Sequence, residues 1–177
     1  MNKRTPAYLV LKSAVLLVTL LCVFPLFATN PQKKEMKELN VKKVSLANVA
    51  VENIPALLDK EKVAFQSINT VNWKAFPYQP EVQFRIAHTD DAILVHYKVK
   101  EASVRAVAAG DNGAVWEDAC VEFFSIPAGD GIYYNVECNC AGILLIGAGA
   151  GRENREHAPQ EVMDKVQRWS SLGRQSF

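Results

Sequence analysis

The 177-residue sequence has no excess of charge of either sign, since 20 basic residues accompany 19 acidic ones and the net charge is +1. Residues 1–28 contain three of the basic residues and no acidic one, so 17 basic and 19 acidic residues remain without them. A net charge of −2 provides no positive surface that could hold a phosphate backbone. We therefore expect no nucleic-acid partner.

The sequence also lacks the motifs of nucleotide-binding proteins and any long helical pattern. The glycine run 147–151 does not fit a dinucleotide fingerprint, because position 152 is arginine, and no Gly-Lys-Ser/Thr follows it. Nothing repeats internally, and no helical pattern exceeds about two turns. The fold is therefore expected to consist mainly of short strands separated by turns.

Cysteine is scarce, and its placement argues against a disulfide framework. Cys120, Cys138 and Cys140 remain after residues 1–28. Strand alternation places Cys120 on the face opposite to Cys138, and residues two apart on one strand are about 6.5 Å or more apart. We expect free thiols, and no zinc site, because the three histidines do not add a convergent set of ligands.

Two loops carry the hard oxygen ligands that calcium prefers. The candidate residues are Asp90, Asp91, Asp111 and Asn112. Turn formation explains the same residue types equally well, since Asp and Asn side chains bond to their own backbone in turns. We therefore expect no cofactor and keep calcium as the alternative.

Residues 1–28 have the pattern of an export signal, with basic residues first and an apolar run after them. The run 14–28 is shorter than the roughly 20 residues that cross a bilayer, so we expect no stable membrane span. We predict cleavage after Ala28 and an exported protein, periplasmic or at the outer surface. An uncleaved anchor and a lipoprotein attached through Cys22 are the alternatives.

The rest of the chain is predicted to be one domain behind a tether. Residues 29–43 are rich in lysine and glutamate, as a solvated tether would be, and residues 44–177 are the length of a single domain. Within the domain, Asn53 and Pro55 occupy positions typical of a helix start. We predict one short helix there and an antiparallel β-sandwich elsewhere.

The clearest local pattern is a β-hairpin closed by the turn 89–92, because apolar residues alternate on both sides of it. Closing the hairpin there puts Phe84 opposite Tyr97 on an apolar face. Arg85 and His96 then lie on the other face. We expect the apolar face to be half-buried against another layer and the Arg85 face to be the outer one.

A second hairpin carries the candidate site. Residues 114–124 and 132–140 alternate as two strands around a turn that contains proline and glycine. Pairing the apolar faces leaves polar side chains together on the other face, with an aromatic residue just before the first strand. The candidate ligand-binding residues are Trp116, Glu122, Tyr133, Asn135, Glu137 and Asn139. An aromatic plate beside carboxylates and amides suits a neutral polyhydroxyl ligand such as a sugar.

The same face leaves an enzymatic interpretation open. A glycoside hydrolase uses two carboxyl groups about 5–9 Å apart, and Glu122 and Glu137 on neighbouring strands lie close to that range. Ligand binding needs the same placement without a tuned pKa, and a solvated strand face needs no function at all. We expect no catalytic residues and keep a small glycoside hydrolase as the alternative.

Residues 68–177 resemble the exported relatives of the family-9 carbohydrate-binding modules. The shared motifs include Trp116-Glu117-Asp118, Cys120-Val121-Glu122-Phe123-Phe124 and Tyr133-Tyr134-Asn135. The resemblance implies an all-β antiparallel sandwich that binds glycan without catalysis, often beside glycan-degrading enzymes. In that family a sugar lies between two tryptophans, with a glutamate shortly after the first, and Trp116 and Glu122 fit this spacing.

The resemblance also implies features that this sequence does not contain. The family pattern continues for several strands beyond Phe177, and the second tryptophan comes from there, so the sandwich is expected to lack its last strands. Structurally related (DOMON-like) sandwiches bind haem through an axial His or Met. His88 and His96 are the residues to consider for that alternative, and neither is clearly placed for it.

Overall fold

The structure, a computed structural model, describes residues 38–47 and 49–177. The predicted export signal with its alternatives, and the tether up to residue 37, lie outside the described residues. Of the remaining tether, Lys42–Lys43 forms a short strand. Among the described residues, no helix has the length and apolar character needed to cross a membrane.

Strands arranged in two mainly antiparallel sheets make up most of the regular structure, which confirms the predicted all-β sandwich class. The strands are β1 (Lys42–Lys43), β2 (Gln66–Ile68), β3 (Glu81–His88), β4 (Ile93–Lys100), β5 (Cys120–Ser125), β6 (Tyr133–Asn139), β7 (Leu144–Gly149) and β8 (Glu156–His157). The helices are α1 (Ile54–Lys60), α2 (Gln160–Met163) and two 3₁₀ turns, Val51–Asn53 and Val115–Glu117. Helix α1 starts where predicted, with Pro55 in its first turn, but the Asn53 side chain makes no capping hydrogen bond.

The first sheet is built around β3. Strand β4 pairs with it antiparallel along its full length, with Phe84 opposite Tyr97 as predicted. On its other edge β3 pairs antiparallel with β2 and parallel with β1. The alternation of apolar and polar residues sets this register, because a slip by one residue would move every side chain to the wrong face.

Helix α1 covers one face of this sheet, and it is not the face that the pattern predicted to be inner. Leu58 of α1 is fully buried and packs against Ala87 of β3. Arg85, on the same face, is only 3% exposed and donates a hydrogen bond to Asp59 of α1 at 2.6 Å. The prediction that Arg85 and His96 face outward was wrong, because alternation sorts residues onto faces but cannot say which face another element covers.

The second sheet has the strand order β5-β6-β7-β8 and is antiparallel throughout. Leu144 and Ile146 of β7 are buried on one face with Met163 of α2. Strand β7 continues through the glycine-containing residues 147–149, which pair with β6. Glycine lowers the stability of a strand but can still occur in one, especially where another group approaches the backbone closely.

Two contacts connect segments that are distant in the chain. The Tyr97 hydroxyl of β4 donates to the backbone carbonyl of Glu122 in β5 at 3.1 Å, so it links the two sheets. Burial raises the pKa of this phenol to about 12. Phe177 exchanges both backbone hydrogen bonds with Ala106, each at 3.0 Å.

Candidate functional site

Strands β5 and β6 pair antiparallel with Glu122 directly opposite Glu137, so the two glutamates share a face as the sequence predicts. Side-chain alternation then collects the candidate strand residues on one face of the second sheet. We call this surface the Glu122 face. It is formed by Cys120, Glu122, Phe124, Tyr133, Asn135, Glu137 and Asn139, with Leu145, Gly147 and Gly149 of β7.

Asn135 and Glu137 are buried members of the Glu122 face, at 1% and 4% exposure. The Asn135 Nδ2 group donates to Glu137 Oε1 at 2.6 Å. The other two oxygens, Asn135 Oδ1 and Glu137 Oε2, are buried without a hydrogen-bond partner among the described residues. A buried acceptor in this condition costs about 1–3 kcal/mol, so these oxygens favour an additional polar partner.

Asn139 is on the same face but has a structural role. Its Oδ1 atom accepts hydrogen bonds from the backbone N–H groups of Ala141 and Ile143, at 3.0 and 2.8 Å. Its Nδ2 group donates to Asp118 at 2.9 Å. These bonds hold the turn between β6 and β7, so the predicted role of Asn139 in ligand binding gains no support from its contacts.

Asp118 fixes the loop that leads into β5. Its side chain is fully buried and accepts hydrogen bonds from the backbone N–H groups of Val107 and Ala108, at 2.9 and 3.0 Å. Burial alone would raise the pKa of Asp118, but these bonds and the one from Asn139 lower it below the ordinary value of 3.8. The carboxylate is therefore an ionised anchor, three residues after the start of the 3₁₀ turn 115–117.

Trp116 lies in that 3₁₀ turn, which packs against β5 and β6. Its side chain is 57% exposed, whereas the preceding residue, Val115, is fully buried. The buried valine holds the turn against the sheet while the indole remains accessible. An exposed tryptophan on a fixed turn is available for stacking on a ligand.

Glu122 is the carboxylate of the face that reaches solvent. Partial burial raises the pKa of Glu122, and the charge of Glu137 opposite raises it further. The positive charges of Arg155 and Arg152 act in the opposite direction. The Glu122 face thus combines two carboxylates with two nearby guanidinium groups.

Two further residues of this surface were missed by sequence reasoning. Phe124 is 54% exposed, and its ring centroid is 6.0 Å from that of Tyr133. The guanidinium of Arg155 lies 5.9 Å from the Tyr133 ring centroid. Alternation could have included Phe124, but no local pattern indicates Arg155, because the turn after β7 folds it back onto the sheet.

The calcium candidates are used in internal contacts. Asp111 accepts two hydrogen bonds from the guanidinium of Arg168, at 2.9 and 2.5 Å. Asn112 donates to the carbonyl of Ala158, and Asp90 pairs with Lys43. Within residues 38–47 and 49–177 no group of three or more His, Cys, Asp and Glu side chains could hold a metal ion. The calcium alternative gains no geometric support.

The histidines considered for haem are engaged in local contacts. His96 accepts a hydrogen bond at Nδ1 from Arg85 at 3.1 Å, and burial lowers its pKa. His88 donates from Nδ1 to the carbonyl of Thr89 at 2.7 Å. Near His88, at the turn between β3 and β4, an open cavity of about 520 Å³ is also bordered by Val41 and Ile93. It belongs to the first sheet, away from the Glu122 face.

Comparisons with known proteins identify the family to which the chain belongs. The family model described as carbohydrate-binding family 9 matches residues 52–177. A crystal structure from Bacteroides uniformis, provisionally described as that of a carbohydrate-binding protein, superposes with a TM-score of 0.77 at 62% identity. The match covers 80% of this chain and 65% of that one, less than two thirds of its length. No curated protein matches the chain. The chain belongs to carbohydrate-binding family 9.

Proposed function

We propose that the chain binds glycan without catalysis and that the Glu122 face is its binding surface. Membership of the family supports carbohydrate binding. The observation that carries the choice of surface is the pair of buried oxygens without partners, Asn135 Oδ1 and Glu137 Oε2. An ordered water that contacts a sugar hydroxyl group can donate to such buried acceptors.

Exposed aromatic side chains on β5 and on the 3₁₀ turn that packs against β5 and β6 support the same surface. Trp116 and Phe124 are both more than half exposed, although aromatic residues of this size are usually well buried. An aromatic ring matches the C–H face of a pyranose, while carboxylates and amides bind its hydroxyl groups. We assign the stacking role to Trp116 and the hydroxyl-binding role to Glu122.

Two further parts of this function, export and cooperation with glycan-degrading enzymes, are supported by the sequence alone. The pattern of residues 1–28 supports export, to the periplasm or the outer surface. The resemblance described above supports cooperation with glycan-degrading enzymes. Both are separate from the choice of the Glu122 face and can fail without affecting it.

The arrangement of the two glutamates favours binding over hydrolysis. Directly opposed residues on neighbouring strands have Cβ atoms about 4.5–5.5 Å apart, so Glu122 and Glu137 lie side by side on one surface. A glycosidase places its two carboxyl groups on either side of the scissile bond. Glu137 is in addition only 4% exposed, which leaves a substrate little access to it.

The test compares binding and turnover in the same samples. The chain, Trp116→Ala and Glu122→Gln are titrated calorimetrically with neutral oligosaccharides while released reducing ends are measured, and Glu117→Gln is the matched control. We expect the chain and the control to bind, and each of the two site variants to bind at least about tenfold more weakly, a loss of about 1.4 kcal/mol. Release of reducing ends that Glu122→Gln abolishes would favour the hydrolase instead. A folded chain that binds no glycan would contradict both functions.

A further inference from the structure

Two glycines of β7 leave room on the Glu122 face for Arg155. Gly147 is paired with Asn135, and Gly149 with Tyr133. A Cβ atom at Gly147 would lie 3.4 Å from Arg155 Cβ, and one at Gly149 would lie 3.2 Å from Arg155 Cγ and 3.3 Å from its Cα. Neither glycine has a positive φ angle, so backbone conformation does not require glycine at either position. The absence of a side chain is what admits Arg155.

Arg155 places its positively charged guanidinium near Tyr133 and Glu122 of the Glu122 face. Its side chain is half-buried, and its guanidinium lies 5.9 Å from the ring centroid of Tyr133. Its charge acts on Glu122 of β5, two strands away from β7. Among the described residues the guanidinium has no hydrogen-bond or ion-pair partner. Its N–H donors are therefore available to a ligand.

The N–H donors of Arg155 and the acceptor oxygens of the Glu122 face do not bond to each other, so one ligand could bond to both. Asn135 Oδ1 and Glu137 Oε2 have no partner, and Glu122 reaches the surface. A hydroxyl group can accept a hydrogen bond from a guanidinium and donate one to a carboxylate at the same time. Two guanidinium groups beside two carboxylates also balance in formal charge, which suits an uncharged ligand, whereas a sugar carboxylate would face both glutamates.

We propose that Arg155 is a ligand-binding residue of the Glu122 face that selects neutral sugars with two adjacent free hydroxyl groups. Its planar guanidinium donates to the two hydroxyl oxygens, and Glu122 accepts a hydrogen bond from one of those hydroxyls. This inference rests on the proposed glycan function. It adds the residue that supplies the donors and the class of sugar that the face accepts.

The experiment titrates the full chain, Arg155→Gln and Arg155→Lys with maltose, cellobiose, lactose and digalacturonate. Arg174→Gln is the control, because Arg174 is an exposed arginine whose charge is not among those that act on Glu122. We expect at least tenfold weaker binding of the neutral disaccharides by Arg155→Gln, partial retention by Arg155→Lys, and a change of at most threefold in the control. Digalacturonate should bind at least tenfold more weakly than the best neutral disaccharide.

A second readout separates ligand contact from a merely structural role. The charged groups that act on Glu122 are Glu137, Arg152 and Arg155, and loss of Arg155 should move the acid limb of sugar binding to higher pH. If Arg155→Gln does not fold, Gly149→Ala displaces the arginine without removing its charge and should weaken binding in the same direction.

The outcomes distinguish this inference from the proposed function. Binding by the chain with no loss in Arg155→Gln would overturn the role of Arg155 and leave glycan binding intact. A preference for digalacturonate would overturn the neutral-sugar assignment. No binding of any of the four sugars by the folded chain would overturn the proposed function and this inference together.

Discussion

Glu122 and Glu137 lie directly opposite each other on β5 and β6, but their surroundings differ. Glu137 is 4% exposed and accepts a hydrogen bond from Asn135, whereas Glu122 reaches the surface next to it. Like charges directly opposite on a sheet destabilise it. The pair is therefore a feature that the fold tolerates, and a ligand that donates to it would stabilise the protein.

The first prediction follows from the raised pKa of Glu122. The folded state holds this proton more tightly than the unfolded state, so the contribution of Glu122 to stability is lost as the pH rises through its folded pKa. Glu122→Gln should melt at about the wild-type temperature near pH 3 and at a higher temperature near pH 7. Calorimetric melting over this range measures the difference. Equal melting at every pH, or a less stable variant near pH 7, would contradict the unfavourable interaction between the charges of Glu122 and Glu137.

The second prediction compares two adjacent residues, Trp116 and Val115. Trp116→Ala removes an exposed side chain and should abolish glycan binding with little effect on the free energy of unfolding. Val115→Ala removes a fully buried side chain and should lower that free energy by about 1.5–3 kcal/mol. Denaturant unfolding and calorimetric titration measure the two effects. A large loss of stability in Trp116→Ala would instead make the indole a core residue.

The third prediction concerns the anchor Asp118. Its lowered pKa means that its stabilisation is present above the unfolded pKa and is lost as the pH falls through the folded one. Asp118→Asn should lower the free energy of unfolding by about 1.5–3 kcal/mol at neutral pH, with the difference shrinking in acid. Glu153→Gln, at an exposed position, is the control and should unfold like the wild type at every pH. A pH-independent difference in Asp118→Asn would mean that shape rather than charge matters.

The fourth prediction tests the buried guanidinium of Arg85, whose side chain is 3% exposed while that of Asp59 is 71% exposed. Asp59→Ala leaves a buried cation without its counter-charge and should lower the free energy of unfolding by about 1.5–3 kcal/mol. Glu61→Ala breaks the ion pair between Glu61 and Lys42. Both of these side chains are more accessible than that of Arg85, so this variant should lose less free energy of unfolding. Urea denaturation of both variants gives the comparison, and equal losses would show that burial of Arg85 adds nothing.

The fifth prediction concerns the thiols. Burial raises the pKa of Cys120 to about 12 and that of Cys138 to about 11, and no described cysteine is in a disulfide. The thiolate is the reactive form, so both should resist iodoacetamide in the folded protein and react after unfolding without a reductant. Peptide mass spectrometry assigns the labelled positions, including Cys140. Labelling that requires prior reduction would indicate a disulfide and a different register of β5 and β6.

Much of the fold was accessible from local pattern. Alternation predicted that Phe84 opposes Tyr97 and that Glu122 shares a face with Glu137, and the structure has both pairings. These predictions succeed because strand parity is a property of the backbone itself and needs no knowledge of the rest of the chain. The family was accessible for a different reason, since residues 68–177 contain sequence motifs that resemble it, and the family model matches residues 52–177.

The sequence by itself determined which residues share a strand face, the antiparallel hairpins and the family. Only the tertiary structure decided that α1 covers Arg85, that Asn135 and Glu137 are buried while Glu122 is exposed, and that Arg155 reaches the site over Gly147. Burial is a property of pairs of elements, which depends on where a distant helix or turn folds back. An alternating pattern is the same whichever element covers its face, so no local sequence signal could have supplied these contacts.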